Sequence, residues 1–176
     1  MNQYYSNDAG IVVSFYYKHD DLFGDMINTS ADRIKRSIQD ADEFDRLRLT
    51  TDDRSWYDEY VAQTTDEVYR YLQPYGKSFS QSYQRNVELY DDDGNSIGMH
   101  VLFNANLGPN FDVNSVQEID DKIMKAIRYG TIGEWLRQVP NPLSQLFFVD
   151  KESALNSVRE LLLVRVGPIN PSLSPV

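Results

Sequence analysis

The sequence predicts a mainly α-helical single domain: an antiparallel bundle of about four helices with one inserted β-hairpin and extended N- and C-terminal arms. Three observations predict it. Apolar residues recur at helical spacing in four separate stretches. Between them one stretch switches to a period of two around an aspartate-rich turn. Both ends look unlike helix, the last ten residues holding Pro168, Pro171 and Pro175. No internal repeat and no long linker divides the chain, so residues 1–176 read as one domain. It comprises an N-terminal arm (1–20), a helical body (21–166) with the hairpin at 79–104, and a C-terminal tail (167–176).

In chain order, Ile11 to Tyr17 is rich in β-branched and aromatic residues and reads as an extended segment or short strand. Leu22, Phe23, Met26, Ile27, Ile34 and Ile38 then follow helical spacing, with Asp20 or Asp21 placed to cap the first amides. The second helix opens at Thr50 or Thr51 with Asp52 and Asp53 in its first turn. Its face runs Trp56, Tyr57, Tyr60, Val61, Thr64, Val68, Tyr71, Leu72, and Pro74 and Gly76 are placed to stop it. The period changes after that. Val87 and Leu89 share one side of Asn86 to Tyr90, and Ile97, Met99, Val101 and Phe103 share one side of the next stretch. Asp91 to Ser96 lies between them, Gly94 supplying the positive φ of a tight reversal, so a hairpin is expected. Ser115 to Glu118 has the capping-box pattern. It opens a stripe of Val116, Ile119, Ile123, Ala126, Ile127, Ile132, Trp135, Leu136 and Val139. A last helix is expected from about Ser144 to Val166, ended by Gly167-Pro168.

Composition narrows the function classes. With 41% apolar and 25% charged residues, the 176-residue chain belongs with globular proteins. The absence of cysteine removes disulfides, thiolate metal sites and cysteine nucleophiles, and fits folding that does not depend on oxidation. No apolar run approaches the length of a membrane span, so no membrane partner is expected. Met1 to Asp8 lacks the charged and apolar regions of a secretory signal. The net charge of −10 argues against affinity for nucleic-acid phosphate or anionic lipid. Acid concentrates between Asp40 and Glu67, as a solvated face or as a surface that repels a nearby polyanion.

Catalytic and metal-binding patterns are not found. Asp91, Asp93 and Gly94 fall short of a calcium loop, because Leu89 and His100 occupy two required ligand positions. His19-Asp20 would need further histidines to hold metal, and only His100 remains. Phosphate loops, nucleophile elbows and HExxH are absent. Asp120 and Asp121 diverge by about 100° on a helix. The reading is therefore of a non-enzymatic protein without metal or cofactor. What stands out is aromatic: twelve tyrosines, eight phenylalanines and two tryptophans, more than one core face holds. Tyrosine suits protein interfaces, where apolar contact and a hydrogen bond are wanted together.

Three stretches carry a resemblance to the head–tail connector (adaptor, or neck-ring) proteins of tailed bacteriophages. Leu47 to Asp53, followed by Trp56, Tyr60, Val61, Val68 and Leu72, is similar to that family's opening helix. Ile119 to Leu136, with Ile123, Ile127, Tyr129 and the Trp135-Leu136 pair, resembles its penultimate helix. Ala154 to Arg165 with its proline-containing tail resembles the last one, although the tail lacks that family's arginine-rich run.

The resemblance implies a structural virion protein, made in the host cytoplasm and located at the neck. It implies a homo-oligomeric ring of about twelve copies that touches the portal protein and other neck or tail proteins. DNA would pass nearby without specific binding. A ring needs heterologous contacts that close on themselves. The expected contact residues are Tyr4, Tyr5, Tyr16 and Tyr17 in the arm, Val87, Leu89, Ile97, Met99, Val101 and Phe103 in the hairpin, and Ile169 and Leu173 in the tail. Asp52, Asp53, Asp58 and Glu59 are the expected acidic channel wall. The alternative is an acidic protein-binding module, such as an inhibitor that mimics DNA.

Overall fold

The computed structural model describes residues 3–7, 10–76, 83–107, 111–138 and 141–163. They form a mainly helical protein with an antiparallel sheet. Two strands, β1 (Gln3–Asn7) and β2 (Gly10–Lys18), run directly into α1 (His19–Ser37). A short α2 (Ala41–Leu47) and a 3-10 turn lead to α3 (Arg54–Gly76). Then come β3 (Tyr83–Tyr90), β4 (Ser96–Asn106), a second 3-10 turn, α4 (Val116–Gln138) and α5 (Leu143–Leu163).

The strand order is β1-β2-β4-β3, all antiparallel, which corrects two expectations. The segment predicted as an arm over 1–20 is half of the sheet, with β2 an interior strand paired to β1 and to β4. The hairpin expected at 79–104 does stand between α3 and α4, as β3 and β4, but it is joined to β2 and does not stand alone, and 79–82 lie outside the described residues. The reason lies in β2. Val13, Phe15 and Tyr17 point to the helices and are buried, and Val12 on the opposite face is buried as well. Each such side chain gains about 2 kcal/mol on leaving water, and the sheet ladder satisfies its backbone. A solvated arm would forgo both. The tail predicted over 167–176 lies outside the described residues.

Local chemistry explains the helix starts. Asp40 caps α2, its Oδ1 accepting from Asp42 N (2.9 Å) and Glu43 N (3.0 Å). Asp53 Oδ2 accepts from the Thr50 amide and hydroxyl, both at 2.8 Å, and closes the turn that enters α3. α3 continues through Pro74 to Gly76, because a proline this close to a helix end removes little of the ladder. Before α4, Asp112 and not Ser115 provides the cap, accepting from Asn114 N at 3.0 Å.

α4 is the central helix. It runs antiparallel to α3, Trp135 meeting Trp56 and Gly130 meeting Thr64, and antiparallel to α5, Gly133 meeting Phe148 and Gly130 meeting Lys151. Ile119, Ile123, Ile127, Ile132 and Leu136 are fully buried along it. α1 and α3 cover one face of the sheet, and Phe15, Phe103, Tyr17, Met26 and Val68 fill the layer between.

Candidate functional site

The predicted contact residues separate into four groups. Tyr17, Val101 and Phe103 belong to the core and cannot face a partner. Tyr17 and Phe103 meet edge to face at 6.1 Å, and the Tyr17 hydroxyl donates to the Asp120 carbonyl at 3.4 Å. Burial, reinforced by Asp120, holds that phenol well above its ordinary pKa. Tyr4 and Tyr5 pair through their backbones with Val13 and Val12, and Tyr16 is half-buried. Ile169 and Leu173 lie outside the described residues.

The remaining four sit where the hairpin outgrows the sheet. β2 stops pairing with β4 at Lys18–His100, whereas β3 continues with β4 through Glu88–Met99 and Leu89–Gly98 to Tyr90–Ser96. Four residues of β4 therefore extend about 13 Å past the third strand. Ile97 and Met99 are 41% and 42% exposed there, and Tyr90 is 59% exposed. Val87 and Leu89 are half-buried and do not join them: a bulge between Gln84 and Val87 sets Val87 opposite His100, on the other face from Met99. Gly98, at φ +104°, adds a second irregularity.

At the tip, the Asp91 carboxylate organises the reversal by accepting from Asp93 N (3.0 Å) and Asn95 N (2.8 Å). The bonds from Asn95 hold it below the ordinary carboxylate range. Gly94 takes the positive φ of 80°. Asp92 and Asp93 stand exposed beside it.

The predicted acidic wall is partly occupied with local tasks. Asp53 is the cap described above, and Asp58 pairs with Arg54 at 3.4 Å. Asp52 and Glu59 are exposed.

Sequence reasoning did not foresee the cleft between the start of α1, α3 and the first residues of β3. It has a volume of about 360 Å³ and is lined by His19, Arg54, Asp58, Thr65, Arg85, Asn86 and Met99 among others. Its cations are compensated: Arg54 reaches Asp20 at 3.0 Å as well as Asp58, and Arg85 binds Asp66 with both ends of its guanidinium. Tyr83 ties β3 to α3 beside it, its hydroxyl 2.7 Å from Thr65 Oγ1 and 2.9 Å from Asp66 Oδ1. Burial, with Asp66 adding to it, pushes that phenol up to about 12. His19 spends both ring nitrogens on the protein, one on Tyr57 and one on the Arg85 carbonyl. The arrangement ties three elements together and leaves no free cation facing the cleft among the described residues.

No protein-family model, curated protein or solved structure matches this chain.

Further along the surface, α5 exposes Leu146 (47%) and Val149 (55%). Among the described residues no group of histidines and carboxylates is placed to hold a metal ion, and no helix is long and apolar enough to cross a membrane.

Proposed function

We propose that this chain is a structural joining protein, a ring subunit of the head–tail connector kind, and that the projecting end of the β3–β4 hairpin is one of its contact surfaces. The observation that carries the reading is the placement of Tyr90 and Ile97 in solvent on a two-stranded extension, with Met99, also exposed, at its base beside the cleft. A monomer gains nothing from apolar side chains held away from its core, whereas an interface uses them. The open edges of β1 and β3 and the exposed apolar residues of α5 supply further surface. The four long helices form the body from which the hairpin reaches a neighbour. On this reading the neighbours are further copies, about twelve to a ring, with the portal and other neck or tail proteins above and below. Asp52 and Glu59 are then the residues available to repel passing DNA.

The inhibitor reading needs carboxylates free to enter a basic cleft. In the acidic stretch many are already engaged. Asp40 and Asp53 cap helices, and Asp45, Asp58, Asp66 and Glu67 pair with Arg48, Arg54, Arg85 and Lys151. That favours assembly over mimicry.

Electron microscopy of the purified chain across a concentration series tests the proposal. Closed rings or curved oligomers that grow with concentration are expected. A particle that stays single at every concentration, and also when offered a portal protein, defeats it.

A further inference from the structure

A groove between α4 and α5, closed at one end by α1, has a volume of about 220 Å³ and is lined by Arg33, Lys122, Lys125, Tyr129, Ser153 and Ser157 with Asp150 and Ala154. Arg33 is spent. It pairs with Asp150 and lies over the Tyr129 ring, 4.7 Å from its centre. Lys122 and Lys125 are different. Three residues apart, they share a face of α4, and neither makes an ion pair with any described residue. Glu118 and Asp121 stand four residues before them, yet Asp121 is drawn back by Gln117, whose Nε2 donates to it at 3.2 Å. On a chain of net charge −10, two uncompensated lysines over a groove that Ser153 and Ser157 also line form a receptor for carboxylates.

The same chain carries a matching projection. Asp92 and Asp93 stand at the hairpin tip, and their carboxylates bind no described residue. Tyr90 and Ile97 flank the tip as apolar shoulders. On α5, exposed Leu146 and Val149 stand one turn before Asp150 and Ser153, which line the groove. Acid meets base and apolar meets apolar. The hairpin packs with the sheet, α1 and α3, whereas the groove lies on the α4–α5 side.

We infer that the Asp92–Asp93 hairpin tip of one copy docks in the Lys122–Lys125 groove of the next, a head-to-tail contact between second copies of this chain. The contact is heterologous, so it propagates from copy to copy and closes into a ring when the rotation allows. The inference rests on the assembly reading above and names the two surfaces that would meet.

Charge reversal tests it, with association of the full chain read by mass photometry. One variant carries Asp92→Lys and Asp93→Lys, and the other carries Lys122→Glu and Lys125→Glu. Each alone opposes like charges at every contact and is expected to associate at least about tenfold more weakly than the parent chain. Mixed in equal amounts, the two are complementary in both directions and are expected to recover the parent's association, as is a single chain carrying all four changes. Circular dichroism confirms folding, and the milder Asp92→Asn, Asp93→Asn, Lys122→Gln and Lys125→Gln set replaces any variant that fails. Reversed chains that associate like the parent overturn this contact and leave the assembly reading standing. Loss without recovery in the mixture also overturns it. A parent chain that stays monomeric throughout overturns both.

Discussion

The Tyr57 hydroxyl and His19 Nδ1 lie 2.8 Å apart inside the protein, and the opposite ring nitrogen of His19 sits 2.9 Å from the carbonyl of Arg85. A carbonyl only accepts, so Nε2 carries a proton, and in the tautomer this selects Nδ1 accepts from Tyr57. Burial raises the Tyr57 phenol well above its ordinary value, which keeps its proton available to donate. One imidazole thus fastens the start of α1 to α3 and to β3.

Tyr57→Phe keeps the ring that packs on Phe23 at 5.0 Å but leaves His19 Nδ1 buried without its donor. A buried polar atom that loses its partner costs about 1–3 kcal/mol. Urea unfolding is expected to show a lower midpoint with an unchanged slope, the product of shift and slope giving that loss of free energy. An unchanged midpoint would mean that the bond contributes nothing net.

Alkaline stability follows from the tyrosines. Tyr83 has its folded pKa raised from 10.0 to about 12, because burial and Asp66 disfavour the phenolate. The unfolded chain therefore releases this proton first. Between pH 10 and about 12 the native state binds more protons than the unfolded state, and stability falls as pH rises. Below pH 10 the contribution is fully present. Melting temperature is expected to drop through this window, and Tyr83→Phe is expected to shallow the drop. An identical pH profile for the variant would show that Tyr83 titrates as it does in the unfolded chain.

Two glycines in helices are expected to respond in opposite ways to alanine. At Gly130 a Cβ would come within 2.5 Å of Thr64 Cγ2 and 2.9 Å of Lys151 Cδ, where α4 crosses its neighbours. Thr64 is buried and cannot move aside, so overpacking of about 1–3 kcal/mol outweighs the gain in helix propensity of about 1 kcal/mol. At Gly24 nothing lies within 4 Å, and Gly24→Ala is expected to stabilise by about 0.5–1 kcal/mol. Thermal unfolding of the pair decides it, and a stabilised Gly130→Ala would remove the case for close packing of α4.

The long helices and the hairpin turn were legible because their signals are local: a 3.6-residue stripe, an Asp-Gly reversal, a proline near a helix end. What the sequence hid is non-local. In β2 both Val12 and Val13 are buried, so the alternation that marks a half-buried strand is blurred and an interior strand passes for an arm. Helix α2 has only Phe44 and Leu47 as apolar residues after Ala41 and is capped by Asp40. How the two hairpin strands share their faces was hidden as well, because a bulge shifts parity by one and sends Val87 to the opposite side from Met99. The basic groove was invisible for a further reason. Which cations are spent depends on partners such as Arg33 and Asp150, which are 117 residues apart.

The same strand supplies the sharpest contrast between folding and assembly. Phe103 is fully buried, stacked on Tyr83 at 5.2 Å and edge-on to Tyr17, so Phe103→Ala is expected to destabilise by about 3–5 kcal/mol. Met99 and Ile97 lie four and six residues earlier, past the end of β2, where no third strand among the described residues covers them. Ile97→Ser with Met99→Ser is expected to change unfolding free energy by less than about 1 kcal/mol. It is also expected to weaken self-association, because the surface it makes polar is the one offered to a neighbour. Urea titration and sedimentation of the two variants separate these outcomes. If the double serine variant unfolds as readily as Phe103→Ala, the hairpin end is core and not surface. If it is stable and sediments with the parent chain's distribution, contact between copies runs through some other face.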